Sequence, residues 1–162
     1  MLNREGSIRI LGLDPGSRAT GYGVIDKEGN RLSFVACGVI RVQAKIDFIA
    51  RLKEIHDGIS EVIVQHQPTV AAVEDVFVSV NSRSALKLGQ ARGAIIVAAL
   101  NKGLPVHEYA ARGVKLAVAG YGNATKEQVQ HMVKMLLSLS AAPSQDASDA
   151  LAVAICAANH LR

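Results

Sequence analysis

The segment from Ile8 to Ile25 constrains the fold most, because it predicts two strands joined by a turn that carries an acid. Its first strand is a near-continuous apolar run, as expected of a strand that is buried on both faces. Asp14 ends this run, and Pro15 and Gly16 then provide the backbone angles of a sharp reversal. The segment therefore predicts a buried strand that ends in a carboxylate at the edge of a sheet.

Asp14 has two interpretations at this point. Aspartate favours turns, so it could be a simple turn residue. However, glycines are crowded around it, at positions 12, 16, 21 and 23, and repeated glycine in strands usually means that something approaches the backbone closely. A functional role for Asp14 depends on whether other acids reach the same place.

The length and composition indicate a globular chain with a proper core. The 162 residues, 49% hydrophobic and 20% charged, predict one domain over residues 1–162. The first residues lack the apolar core of a signal peptide, and no apolar run reaches the roughly 20 residues that span a bilayer. We therefore expect a cytoplasmic protein without membrane association, in which Cys37 and Cys156 are reduced.

The charge balance favours an acidic partner. The net charge is +4 and the isoelectric point is near 9.3, which makes nucleic acid the first candidate. The five histidines are scattered, and neither they nor the two cysteines have the spacing of a zinc site. Any metal site in this chain would therefore be built from oxygen ligands.

The hydrophobic periodicity predicts an α/β fold with a mixed five-stranded sheet and helices on both faces. Three antiparallel strands come first, and parallel strands follow. The further predicted elements are helix 47–67, strand 70–76, helix 82–102, strand 104–109, helices 111–119 and 125–137, and a final alanine-rich helix to about residue 160 that packs directly on the sheet. Asn81 is a predicted N-cap, and Thr125 with Gln128 forms a predicted capping box.

Two further groups of acids lie where elements end or begin. Glu74 and Asp75 close the fourth strand, and strand alternation places them on opposite faces, so only one can point towards Asp14. The sequence alone favours neither. Asp146 and Asp149 share one face at the start of the last helix, where they are either ligands or a helix cap, with Asp146 as the N-cap.

Asp14, one of the Glu74 and Asp75 pair, Asp146 and Asp149 would together form a set of four carboxylates. All-oxygen ligation suits a hard ion such as Mg²⁺ or Mn²⁺. Two such ions, roughly 3.5 to 4 Å apart, can activate water and stabilise the leaving oxygen in phosphodiester hydrolysis. The acids therefore predict a metal-dependent nuclease centre.

The sequence resembles the RuvC family of Holliday junction resolvases over almost the whole chain. Six motifs in the family's order carry this resemblance: Asp-Pro-Gly-Ser-Arg-Ala-Thr-Gly-Tyr-Gly at 14–23, Glu-Asp-Val-Phe at 74–77, Asn81 with the segment 84–93, Tyr109-Ala-Ala-Arg with Val114-Lys115, Gln-Val-Gln-His-Met at 128–132, and Asp-Ala-Ser-Asp-Ala-Leu at 146–151.

The resemblance implies a ribonuclease H-like fold and a homodimer that cuts two opposed strands of a four-way DNA junction with Mg²⁺, two ions per site. The family's catalytic and metal-binding acids fall on Asp14, Glu74, Asp146 and Asp149, and its essential lysines on Lys115 and Lys126. It also implies, as partners, branch-migration proteins of the RuvA and RuvB type. The small-residue face from Ala85 to Gly93 corresponds to the region where family members dimerise.

The resemblance also implies a set of DNA contacts. Phe77 is either a core residue or, as the resemblance favours, a wedge that stacks on an unpaired base. The chain departs from the family at Asp75, where glutamine is usual, and at Val80, where a basic residue is common, so Arg83 is expected to take over that phosphate contact. The expected DNA-binding residues are Phe77, Asn81, Arg83, Lys87, Arg92, Lys115 and Lys126.

Three other functions remain open from the residues alone. A related nuclease acting on RNA or another branched nucleic acid would need the same four acids. An actin-like or sugar-kinase-like ATPase also opens with a strand and an Asp-x-Gly turn, but it needs two lobes around the nucleotide. A junction-binding protein without activity would have no need of the acids.

Overall fold

A computed structural model describes residues 5–43, 45–75 and 81–162. Along the chain the elements are β1 (Ser7–Asp14), β2 (Ala19–Glu28), β3 (Arg31–Arg41), α1 (Phe48–His66), β4 (Val70–Asp75), α2 (Ser82–Asn101), β5 (Val106–Ala110), α3 (Ala111–Ala119), α4 (Lys126–Leu136) and α5 (Gln145–His160). The strands form one five-stranded sheet in the order β3-β2-β1-β4-β5. The first three strands pair antiparallel, whereas β4 and β5 join parallel to β1, as the sequence predicted.

The helices cover both faces of the sheet, because each strand alternates its side chains between two cores. Ile10 and Ala72 lie in the core that α3, α4 and α5 cover. Leu11 and Val73 lie in the opposite core, beneath α1 and α2. The predicted three-layer arrangement is therefore confirmed, and α5 lies directly on β1 and β2.

Most helix boundaries follow the predicted capping residues. The Asn81 side chain accepts hydrogen bonds from the backbone N–H groups of Arg83 and Ser84 at the start of α2. Thr125 and Gln128 form the reciprocal capping box of α4. Both predictions are confirmed.

Two boundaries differ from the prediction by more than one residue. The fifth strand begins at Val106 rather than Leu104. The last helix begins at Gln145, and its N-cap is Ser144, whose hydroxyl accepts the N–H of Ala147, so the alternative with Asp146 as N-cap is wrong. Serine and aspartate cap equally well, and here Asp146 lies inside the first turn.

Of the helices in the described ranges, none combines the length and the apolar character that crossing a membrane requires.

Candidate active site

Asp14 and Glu74 come together because their strands are parallel neighbours. Leu13 pairs with Val73, so the next residue of each strand lies side by side at the same end of the sheet. Alternation turns both acids towards the face that α5 covers, since Gly12 and Ala72 share that face. Asp75 points to the opposite face and is exposed, which leaves Glu74 as the partner of Asp14.

The third and fourth acids are brought to this edge by close contact between α5 and the sheet. A Cβ built on Gly21 would lie 2.1 Å from the carbonyl oxygen of Asp146, and one on Gly12 would lie 2.0 Å from that of Ala150. The glycines are therefore required for the approach of the helix backbone, as their crowding predicted. Gly21 is also the β2 partner of Asp14, so the first turn of α5 lies beside the end of β1.

All four acids and both lysines of the predicted site line one open cavity of ≈ 340 Å³. Lys115 comes from α3, and Lys126 is the first residue of α4. The full lining is Asp14, Glu74, Ala111, Val114, Lys115, Lys126, Val129, Gln145, Asp146, Asp149 and Ala152. Acids from positions 14 to 149 are thus brought into one cavity with two cations.

The carboxylates raise one another's affinity for protons. Burial raises the pKa of Asp14 to about 8, and the nearby charges of Asp149, Glu74 and Asp146 add to this effect, whereas Lys126 opposes it. Burial also raises the pKa of Glu74 and of Asp149. A cavity that holds excess negative charge in partly buried surroundings favours either a proton or a cation among the acids.

The donor set fits a hard divalent ion in its chemistry, because its ligands are carboxylate oxygens. In the residues that the structure describes, however, no three His, Cys, Asp or Glu side chains already stand around one ion position. The four acids nevertheless line one open cavity.

Two residues at the site have contacts that the sequence pattern did not reveal. Gln145 lines the cavity and donates its side-chain N–H to Asp149 Oδ1 at 3.0 Å; its position four residues before that acid was the available signal. Arg92 contacts the end of β4 from the other face. Its Nε lies 3.4 Å from the Glu74 carbonyl oxygen, and its buried Nη2 lies 3.0 Å from Glu108 Oε1.

Arg92 also reaches Asp75, with 3.8 Å between Nη2 and Oδ1. Neither carboxylate contact has the alignment of a hydrogen bond, so both are ion pairs. The side chain is only 15% exposed, because it packs against β4 and β5 rather than extending into solvent. Its expected DNA contact stays a prediction, alongside this structural role.

Among the described residues, the expected DNA contacts Asn81, Arg83 and Lys87 do not line the cavity. Arg83 and Lys87 are exposed on α2, where Lys87 Nζ lies 5.5 Å from the centre of the Phe48 ring. The Asn81 side-chain oxygen is used in capping α2. Phe77 and Val80 lie outside the described residues.

Comparison with known proteins agrees with this geometry. The profile of the family "Crossover junction endodeoxyribonuclease RuvC" matches residues 10–157. The RuvC of Citrifermentans bemidjiense is 62% identical over 150 residues, which cover 93% of this chain and 92% of that one.

Solved structures give the same result. The T. thermophilus RuvC, solved in complex with a Holliday junction substrate, superposes with a TM-score of 0.86 at 35% identity and covers 92% of each chain. The yeast mitochondrial Holliday junction resolvase Ydc2 has a TM-score of 0.64 at 12% identity, over 93% of this chain and 79% of that one, and supports the fold alone. The ribonuclease H-like fold is therefore confirmed. By sequence, by fold and by the family profile, this chain belongs to the RuvC family of crossover junction endodeoxyribonucleases.

Proposed function

We propose that the chain resolves four-way DNA junctions by paired, symmetric hydrolysis of two phosphodiester bonds, in homologous recombination and DNA repair. The observation that carries this proposal is the single cavity lined by Asp14, Glu74, Asp146 and Asp149. The similarity of this chain to the T. thermophilus RuvC, which was solved with a Holliday junction substrate, supports DNA as the substrate.

The four acids would hold Mg²⁺, two ions per site, for which Mn²⁺ would substitute. When bound, the ions supply water activation and stabilise the leaving oxygen. Because the pKa of Asp14 is raised to about 8 in the absence of a cation, metal binding would be coupled to loss of the Asp14 proton. Gln145 fixes one oxygen of Asp149 and so limits how that carboxylate turns.

Lys115 and Lys126 would hold the scissile phosphate and offset the negative charge that builds on it during cleavage. Both line the same cavity as the acids, and both counteract the rise in the Glu74 pKa. They come from helices on the α5 side of the sheet. A phosphate bound in the cavity would therefore be within reach of both lysines.

A homodimer would place two such cavities on the two strands to be cut. The exposed stripe of α2 supports it: Leu86, Gly89, Gly93, Val97 and Leu100 recur at helical spacing on one side of the helix. A Cβ on either glycine would meet nothing within 4 Å in one protomer, which leaves room for a second backbone. Proteins of the RuvA and RuvB type, in the cytoplasm, would be the further partners.

The proposal is tested by offering a synthetic four-way junction, a linear duplex and an RNA–DNA hybrid, each with and without Mg²⁺. We expect paired symmetric nicks in the junction alone, and only with the metal. The variants Asp14→Asn, Glu74→Gln, Asp146→Asn and Asp149→Asn should lose cleavage and keep junction binding, because binding depends on Lys and Arg contacts to phosphates.

Asp75→Asn is the matched control, since Asp75 points away from the cavity, and it should still cut. Cleavage of the hybrid in preference to the junction would assign the site to RNA instead. Full activity in any of the four acid variants would remove that acid from the centre.

A further inference from the structure

Three arginines from separate elements line a second cavity, of ≈ 430 Å³, at the same end of the sheet as the acids. Arg18 lies in the turn after Asp14, Arg41 ends β3, and Arg51 lies in the first turn of α1; Val42 completes the lining. We call this cavity the arginine pocket. Like charges repel, so three guanidinium groups around one space favour an anion there.

The backbone around the arginine pocket is held in place. Ala19 pairs with Arg41 across β2 and β3, and the N–H of Val42 donates to the carbonyl oxygen of Arg18 at 3.4 Å. The Nε of Arg51 donates to the carbonyl oxygen of Ile46 at 3.2 Å, which orients that guanidinium. These contacts therefore fix the backbone at Arg18 and Arg41 and the orientation of the Arg51 guanidinium.

The surroundings offer little negative charge to the two exposed arginines. Across residues 5–43, 45–75 and 81–162, neither Arg18 nor Arg41 has a side-chain ion pair. Asp47, the next acid after Arg41 in the sequence, accepts the N–H of Ala50 at 2.8 Å as the N-cap of α1. Planar guanidinium groups match phosphate oxygens in a forked geometry, so the expected ligand is a phosphate.

We propose that the arginine pocket binds a backbone phosphate of the DNA substrate at a fixed distance from the bond that is cut. This inference rests on the proposed function, because it assigns the phosphate to the same bound nucleic acid. A free inorganic phosphate has the same chemistry and is the alternative source. The sheet geometry favours DNA, since the pocket and the acids lie at one end of a single rigid sheet.

The spacing is set by the strand register. Asp14 pairs with Gly21, whereas Arg41 pairs with Ala19 one strand further on. Strands lie about 4.8 Å apart and rise about 3.4 Å per residue, which places the Cα atoms of Asp14 and Arg41 roughly 12 Å apart in the plane of the sheet. A phosphate held in the pocket would therefore lie within a few nucleotides of the cut.

The test measures how junction and linear-duplex binding depend on salt, without divalent metal, for the double variant Arg18→Gln with Arg41→Gln. The slope of log K against log[salt] should become shallower by up to about 0.9, the value for one lost phosphate contact, and affinity should fall roughly tenfold. Arg31→Gln is the matched control, because Arg31 is exposed on β3 at the opposite end from the pocket, and it should leave both values unchanged.

A second variant, Arg18→Lys with Arg41→Lys, retains the charge and should retain the salt slope. A slope that is the same in wild type and the Gln variant would overturn the inference, as would an equal loss in Arg31→Gln. Stabilisation of wild type by inorganic phosphate that depends on Arg18 and leaves DNA binding unaffected would also overturn it. Absence of any junction preference in wild type would instead count against the proposed function, while the linear duplex still tests the pocket.

Discussion

At the scale of single residues, Asp14 has the most strongly perturbed environment of the site. The four residues that precede it in β1 are buried, and it has three other carboxylates as neighbours. The folded chain therefore retains a proton on Asp14 that the unfolded chain releases at a much lower pH. The stability of the metal-free protein is consequently linked to pH.

We expect the free energy of unfolding of the metal-free protein to fall as pH rises from 5 to 9. The unfolded Asp14 loses its proton near pH ~4, whereas the folded pKa is about 8, so between these values the folded state binds more protons. This group alone would lower stability by up to about 1.4 kcal/mol per pH unit in that interval. Glu74 and Asp149, whose pKa values are also raised, act in the same direction.

Urea denaturation at several pH values measures this slope. Asp14→Asn should be more stable than wild type at pH 9 and should show a shallower slope, because its amide stays neutral. Glu61→Gln, at an exposed position on α1, is the control and should follow wild type. An Asp14→Asn variant with the wild-type slope would contradict the expected ionisation of this residue.

At the scale of elements, the contact between α5 and the first two strands positions half of the acids. Three glycines on the α5 face of β1 and β2, Gly12, Gly21 and Gly23, give the helix access to the sheet. The alanine-rich composition of α5 completes this close contact, because its side chains are small on almost every side. The position of Asp146 and Asp149 thus depends on glycine and alanine residues, which have no reactive or charged side chain.

Gly21→Ala tests this dependence. The new Cβ would lie 2.1 Å from the backbone oxygen of Asp146, so the first turn of α5 must shift. We expect a loss of about 1–3 kcal/mol in the free energy of unfolding, as for other overpacked sites, and loss of most junction cleavage.

Gly113→Ala in α3 is the matched control, because a Cβ there meets nothing within 4 Å. It should be neutral or stabilising by up to about 1 kcal/mol, since alanine is the better helix former. Urea denaturation and junction cleavage provide the two measurements. Equal behaviour of the two variants would show that α5 is not held by this contact.

The elements also show how far sequence reasoning reaches. The strand that ends at Asp14 was predictable because an apolar run is followed by Pro15 and Gly16. The choice between Glu74 and Asp75 could not be predicted from the residues. Strand alternation places the two side chains on opposite faces of the sheet, but it does not say which of these faces α5 covers. The resemblance supplied Glu74 before the geometry did.

Other features escaped prediction for related reasons. Ser144 and Asp146 are both good N-cap residue types, so the sequence could not decide between them; the structure uses Ser144, which leaves Asp146 in the first turn. Arg92 looked like a DNA contact because it is a cation in a basic helix. Its partners at Glu74, Asp75 and Glu108 lie 16–18 residues away in sequence, and only the fold brings them together.

At the scale of the whole molecule, the two faces of the sheet carry different groups of residues. The face under α5 carries the acids, and the opposite face carries α2 with its exposed apolar stripe, in which Leu86 is 69% exposed. That all 162 residues form one domain stays a prediction. The stripe gives the proposed homodimer a specific test.

We expect Gly93→Lys to shift the protein from dimer to monomer, because the side chain would place a charge where a second backbone must approach. Light scattering after size-exclusion chromatography measures the mass. Met135→Lys, at an exposed apolar residue on α4, is the control and should leave the mass unchanged. A dimer that persists in Gly93→Lys would assign the contact to another surface.

The separation of the four acids along the chain has a consequence for how the protein is made. Asp14 and Glu74 are synthesised early, whereas Asp146 and Asp149 arrive with the last helix. Until α5 has been synthesised, a growing chain therefore holds at most two of the four acids of the proposed centre. The complete set of carboxylates forms only when this last helix packs against strands that were translated before it.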